Sequence, residues 1–197
     1  MRGEALRAFA LAILVSSSAA SSQESAFKPA EISVGRSGSG WRFLAEGGQA
    51  FRSPTQHFTE FAGAALVRDV RLGQRTRLAI ELFPFLVFNE TEKDGHTRER
   101  VGASAVGTLL SYDIESSRVP WGLRFDAGPG LFYGYQRIPA GGSRFNFFDQ
   151  FGAFLVHRVA GHRIAAGYRY VHISNLGIVA SAENPGLDFH TFVVAVD

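Results

Sequence analysis

Two residues apart in this sequence, His172 and Ser174 are a pair whose types and spacing could do covalent chemistry. If His162 to Ser174 forms a strand, alternation puts Ile164, Ala166, Tyr168, Tyr170, His172 and Ser174 on one face. Arg163, Ala165, Gly167, Arg169 and Val171 then take the other. Two residues along a strand span about 6.6 to 6.8 Å. An imidazole and a hydroxymethyl group leaning toward each other can close that gap to hydrogen-bond reach. A serine beside a base is the minimum for nucleophilic ester cleavage. The same pair also occurs at ordinary strand ends facing interfacial water, so its surroundings must decide. The absence of cysteine removes any thiol nucleophile and any disulfide. His57, His96, His157, His162 and His190 show no metal-ligand spacing, so neither a metal nor another cofactor is expected.

The chain that must position this pair has 197 residues, 46% hydrophobic and 13% aromatic, enough for one modest domain. Its 20 Lys and Arg against 18 Asp and Glu are too balanced for a dedicated nucleic-acid binder. Residues 1–20 read as a secretory signal. Arg2 and Arg7 precede the apolar run Ala8 to Val15, then Ser16, Ser17, Ser18, Ala19 and Ala20, with cleavage expected near residues 20–22. The run is well short of the roughly 20 residues that a membrane-spanning helix needs. A short segment over 21–30 is expected to lead into a barrel domain over 31–197.

Beyond the signal, alternating segments are separated by Gly, Pro, Asn, Asp or charged clusters. They predict strands at Glu31 to Arg36, His57 to Val70, Arg75 to Asn89, Val101 to Ile114, Pro120 to Gln136, Arg144 to Val159, His162 to Ser174 and Asp188 to Val196. The first, third, fifth and seventh connections come out long and the even ones short. That parity is the signature of an eight-stranded antiparallel outer-membrane β-barrel in an all-β chain.

Two strands indicate which face meets lipid. Trp121, Leu123, Phe125, Ala127, Pro129, Leu131, Tyr133 and Tyr135 alternate with Arg124, Asp126, Gly128 and Gly130. Leu78, Ile80, Leu82, Leu86 and Phe88 alternate with Arg77 and Glu81. An apolar outside with interfacial aromatics and a polar or small inside is what lipid as solvent selects. Pro84 removes one ladder donor, so a bulge or local disorder is expected there. A soluble barrel with its apolar face inward has the same periodicity. Loop parity, aromatic girdles and the signal favour the membrane.

The segment around the pair reads Tyr170, Val171, His172, Ile173, Ser174, Asn175, Leu176, Gly177, then Asn184, Pro185, Gly186, Leu187, Asp188. It resembles the PagL-type lipid A deacylases, outer-membrane enzymes with an H-x-S-N-x-G stretch, a short loop, an N-x-G element and a carboxylate two positions later. The resemblance is sharp over these residues and architectural elsewhere. It implies that His172 is the base, Ser174 the nucleophile and Asp188 the acid that orients the base. The family acid is usually a Glu, so Asp188 is one methylene shorter, and the loop from Gly177 to Asn184 is longer than the family's. Glu183 therefore stands as an alternative acid. The alternation of the last strand, with Asp188, His190, Phe192, Val194 and Val196 on one face, favours Asp188 beside His172 on the antiparallel neighbour. By resemblance Asn184 and the backbone N–H near Leu176 would face a developing oxyanion. Asn175 and Gly177 would shape the turn.

The function this implies is hydrolysis of an ester-linked acyl chain, at the 3-position of lipid A, through an acyl-enzyme on Ser174. Lipopolysaccharide is then the substrate, reached laterally through the membrane lipid. Lys93, Arg98 and Arg100 in the second outer loop, with Arg137 and Arg144 around the third, are candidate contacts for its phosphates. Pairing of two such barrels into a homodimer is compatible with the sequence. The alternatives are a non-catalytic OmpA- or OmpX-like structural or adhesion barrel, and a soluble periplasmic barrel with a hydrophobic ligand inside.

Overall fold

From residue 58 onward the alternating segments become strands because each has one face for apolar surroundings and one for a charged interior. The computed structural model describes residues 40–52, 58–91, 98–116, 118–139, 142–178 and 186–196. Its strands are β1 (Trp41–Arg52), β2 (Phe58–Arg71), β3 (Thr76–Thr91), β4 (Arg98–Glu115), β5 (Trp121–Ile138), β6 (Ser143–Val159), β7 (His162–Ser174) and β8 (Leu187–Val196). All neighbours pair antiparallel in chain order, and β1 pairs with β8, closing an eight-stranded barrel. Closure removes every sheet edge.

Two expectations about the outline need correction. The strand expected at Glu31 to Arg36 lies outside the described residues, as do the signal and the segment 21–30. The stretch taken as the first long loop contains β1 itself. Loop parity is also weaker than expected. The connections 53–57, 92–97, 139–142 and 175–186 lie at one end of the barrel and 72–75, 116–120 and 160–161 at the other, and the last of the first set is the long one. The strands continue into segments rich in charge and glycine, because paired backbone in a closed sheet tolerates them. Arg98 and Arg100 consequently belong to β4 and not to a loop.

Alternation places the apolar residues outside. Leu78, Ile80 and Leu82 on β3 and Leu123, Phe125 and Leu131 on β5 are exposed, while Arg77, Glu81, Arg124 and Asp126 are buried within. Trp41, Trp121 and Tyr112 ring one end of this belt, and Tyr133 and Tyr135 the other. An apolar surface of this extent is far beyond what a monomer shows to water.

The alternation reverses halfway along β3. Its pairing slips by one residue on both flanks, between Phe83 and Leu86 against β4 and opposite Ala64 to Leu66 on β2. This is the bulge expected at Pro84. A one-residue slip moves every later side chain to the other face, so Leu86 and Phe88, expected to face lipid, are 5% and 1% exposed inside, while Phe85 faces out. The carbonyl of Pro84 accepts a hydrogen bond from Ser104 Oγ at 2.9 Å, and Ser104 Oγ also meets Tyr135 Oη at 2.8 Å. A surface without water has to satisfy the bulged backbone from its own side chains.

The interior is layered. Toward the end with 72–75, Asp113 receives Arg77 Nε at 2.8 Å and Arg124 Nε at 3.0 Å, and Arg42 Nη2 lies 3.1 Å from Asp69. In the middle Arg169 bridges Glu46 and Glu81, each at 3.1 Å, and Gln150 donates to Glu81 at 2.7 Å. Toward the other end aromatic rings fill the lumen. Phe61 packs edge-on against Phe189 at 4.9 Å and Phe88 edge-on against Phe132 at 5.3 Å. The lumen, expected to be polar or small, is thus polar in one half and aromatic in the other. A cavity between the halves is about 20 Å³, room for about one water. The barrel wall is therefore backed by packed side chains where the site sits.

Candidate active site on the outer face of the barrel

Strand β7 ends in the H-x-S pair at the end of the barrel that carries the 175–186 connection. The β7–β8 register sets His172 directly opposite Asp188. Both side chains are on the outer face, and both stay partly exposed, at 35% and 14%. His172 Nδ1 lies 2.6 Å from Asp188 Oδ1. A carboxylate accepts from an N–H, so this bond fixes the tautomer with the proton on Nδ1 and leaves the lone pair on Nε2. Gly186, at φ 60°, lies against the imidazole. A Cβ built there would stand 3.4 Å from His172 Cε1, an ordinary contact, so it is the positive φ that favours glycine.

Ser174 follows on the same face and is 7% exposed. Its strand partner on β6 is the outward Phe147, whose ring packs edge-on to Phe145 at 5.3 Å. Among the described residues Ser174 Oγ makes no hydrogen bond to the imidazole. Catalytic hydrogen bonds are often long or unformed in sites without substrate and tighten only in the complex.

The chain leaves β7 through a tight turn. Asn175 O accepts from Ile178 N at 3.0 Å, and Leu176 and Gly177 between them have φ of 54° and 68°. Two successive positive φ values define a type I′ turn, in which glycine is at ease and leucine is not. Asn175, 2% exposed, stabilises it by accepting Gly177 N–H on Oδ1 at 2.8 Å. Gly177 N–H is thereby occupied. Leu176 N–H has no acceptor among the described residues, at the position where a strained backbone holds it.

The remaining candidates are placed unevenly. Glu183, Asn184 and Lys93 lie outside the described residues. Arg100, Arg137 and Arg144 are exposed at the end of the barrel that carries His172, and Arg100 Nε donates to Asn89 Oδ1 at 3.3 Å. Arg98 opens β4 at the same end.

Two residues near the pair were not singled out by sequence reasoning. Tyr170 Oη donates to Asp188 Oδ1 at 2.6 Å. Asp149 on β6 is exposed directly across from His172, on the side opposite Asp188. Alternation from His172 identifies Tyr170 as a same-face residue, but pairing Asp149 with His172 requires the β6–β7 register.

A protein-family model described as lipid A 3-O-deacylase (PagL) matches residues 38–197. Among solved structures, the barrel is similar to that of "the outer membrane enzyme PagL", with 16% identity over 78% of this chain and 97% of that one and a TM-score of 0.57. It is also similar to Neisserial surface protein A (NspA), with 14% identity over 79% and 94% of the two chains and a TM-score of 0.54. At these identities the likeness is one of fold. No curated protein matches the chain in sequence.

Proposed function

Because the chain belongs to the PagL family of lipid A 3-O-deacylases, a family of ester hydrolases, we propose that it cleaves the 3-O-acyl ester of lipid A with Ser174, His172 and Asp188 on the outer face of its barrel. The observation that carries this reading is the 2.6 Å bond from His172 Nδ1 to Asp188 on an outward surface, one alternation step from a serine. An imidazole so oriented presents Nε2 as base.

Ser174 Oγ attacks the ester carbonyl carbon while Nε2 takes its proton. The tetrahedral oxyanion is met by Leu176 N–H, which has no acceptor among the described residues, and by Asn184. Collapse breaks the bond to the sugar oxygen, which takes the proton from His172 and departs as the 3-hydroxyl. The acyl group stays on Ser174. Water then attacks this second ester, losing a proton to His172, and fatty acid leaves as Ser174 recovers its proton. Asp188 keeps its charge throughout and stabilises the imidazolium formed in each half.

An exterior site fits a substrate that is itself a membrane lipid. The apolar belt and aromatic girdles support a seat in the bacterial outer membrane, reached after export under the signal at 1–20. Lipid A then approaches laterally, its acyl chains against the belt and its phosphates at the rim, where Arg100, Arg137 and Arg144 are exposed.

The test is mass spectrometry of lipid A from cells expressing the protein or Ser174→Ala. The reading predicts loss of the 3-O-acyl mass with the first and intact lipid A with the second. Intact lipid A in both would leave a non-catalytic barrel.

A further inference from the structure

We propose that Tyr170 is a positioning residue of this site, its phenol holding Asp188 in the orientation that the His172 ring requires. The inference rests on the triad reading above and adds a fourth member to it.

Tyr170 precedes His172 by one alternation step on the outer face of β7. Its partner across β8 is His190 and not Asp188, so the phenol reaches Asp188 along a diagonal. Diagonal neighbours in a sheet lie about 7 to 8 Å apart, a span that a tyrosine can cover and a short side chain cannot. Its hydroxyl donates to Asp188 Oδ1 at 2.6 Å, and His172 Nδ1 meets that same oxygen at 2.6 Å. Both donors converge on one carboxylate oxygen from two directions.

The consequence follows from the geometry of a carboxylate. An aspartate that receives one donor can swing about its side-chain torsions and still keep that bond, carrying the imidazole with it. A second donor at the same oxygen removes this freedom, because one swing would have to satisfy both. A phenol suits the task, since it keeps its own proton through neutral pH and introduces no competing base.

The phenol is itself held. The Phe51 ring lies 6.2 Å from that of Tyr170 at 52°, and the same Phe51 stacks on His190 at 3.9 Å. His190 Nδ1 is in turn 2.6 Å from Tyr168 Oη. Rings from β1, β7 and β8 thus form a continuous aromatic cluster beside Tyr170.

A residue that acts through Asp188 makes a specific kinetic pattern. Tyr170→Phe keeps the ring and its packing and removes only the hydroxyl. On lipid A in detergent micelles, its kcat should fall about tenfold, the usual size for loss of an orienting partner, with KM little changed. In an Asp188→Asn background the same change should have no further effect, because the group it positions no longer works as an acid. Folding of each variant is checked by heat-modifiable gel mobility, and rates are taken per folded molecule. An equal loss in both backgrounds, a rise in KM at constant kcat, or an unchanged rate would each overturn the role of Tyr170. Failure of the triad itself reads differently: full activity in folded Ser174→Ala or Asp188→Asn, whatever Tyr170→Phe does.

Discussion

Arg169 and His172 stand three residues apart on β7, on opposite faces of the sheet, and the protein treats their charges in opposite ways. Arg169 is fully enclosed, with Glu46 and Glu81 at 3.1 Å and Asp126 at 3.8 Å, and its guanidinium lies 5.7 Å from the Phe154 ring. His172 is partly exposed, and among the described residues its ring makes one hydrogen bond, through Nδ1. A charge buried in the interior is held by several carboxylates gathered at its two terminal nitrogens. The imidazole proposed as the base is oriented through Nδ1, and Nε2 is left for the proton it would gain and lose. The inner constellation keeps the wall rigid, and the outer one uses that rigidity, since a reacting pair must be held to a fraction of an ångström.

Mutations on the two faces of β7 should act differently, and those on the inner face should give the largest change in stability. Arg169→Met leaves three enclosed carboxylates without their shared cation, and removing one partner of a buried ionic network costs about 3 to 5 kcal/mol. Urea unfolding in micelles should show that loss, with turnover per folded molecule nearly intact. A stable variant with lost activity would mean that the inner network serves the chemistry directly.

Phe88→Ala is next, and it tests the bulge. A ring deleted from a packed interior costs about 3 to 5 kcal/mol at most positions, whereas a lipid-facing phenylalanine loses less because lipid fills the gap. Comparable unfolding midpoints for Phe88→Ala and Phe85→Ala would return Phe88 to the outer face. Leu82→Arg, before the bulge and outside, puts a charge in the apolar belt at about 2 to 4 kcal/mol if it lies near the midplane. Refolding yield into lipid vesicles should fall well below that of Leu82→Ala.

The outer side should respond in rate and not in stability. Asp188→Asn keeps shape and removes the orienting charge, so turnover should drop severely while gel mobility stays that of the folded barrel. Glu183→Gln should give the smallest effect, leaving most of the rate. A larger loss for Glu183→Gln than for Asp188→Asn would exchange the two acids.

How far these features could be read in advance follows from the physics of each. β2 to β8 were legible within a few residues because period-two alternation survives in lipid with its sign inverted. β1 was not, because Glu46, Gly47 and Gly48 look like a turn. In the barrel Glu46 pairs inward with Arg169, and Gly48 lies so close to β8 that a Cβ would be 2.5 Å from His190 O. Pro84 announced a bulge, but alternation counted straight through it sent Leu86 and Phe88 to the wrong face. The proximity of His172 and Asp188 followed from alternation together with the family resemblance. The bond from Tyr170 did not, because a diagonal contact depends on side-chain reach, which no spacing rule encodes.

In the proposed reaction Ser174, on the outside of the barrel, is the nucleophile that His172 activates. A lipid-like phosphonate ester, which phosphonylates an activated serine and stays attached, reports on that activation. Folded protein in micelles is incubated with the reagent, digested and analysed by mass spectrometry. One adduct is expected, on the peptide containing Ser174, and none in His172→Ala. An adduct on a different residue that abolishes lipid A hydrolysis, or labelling of Ser174 that persists in His172→Ala, would contradict it.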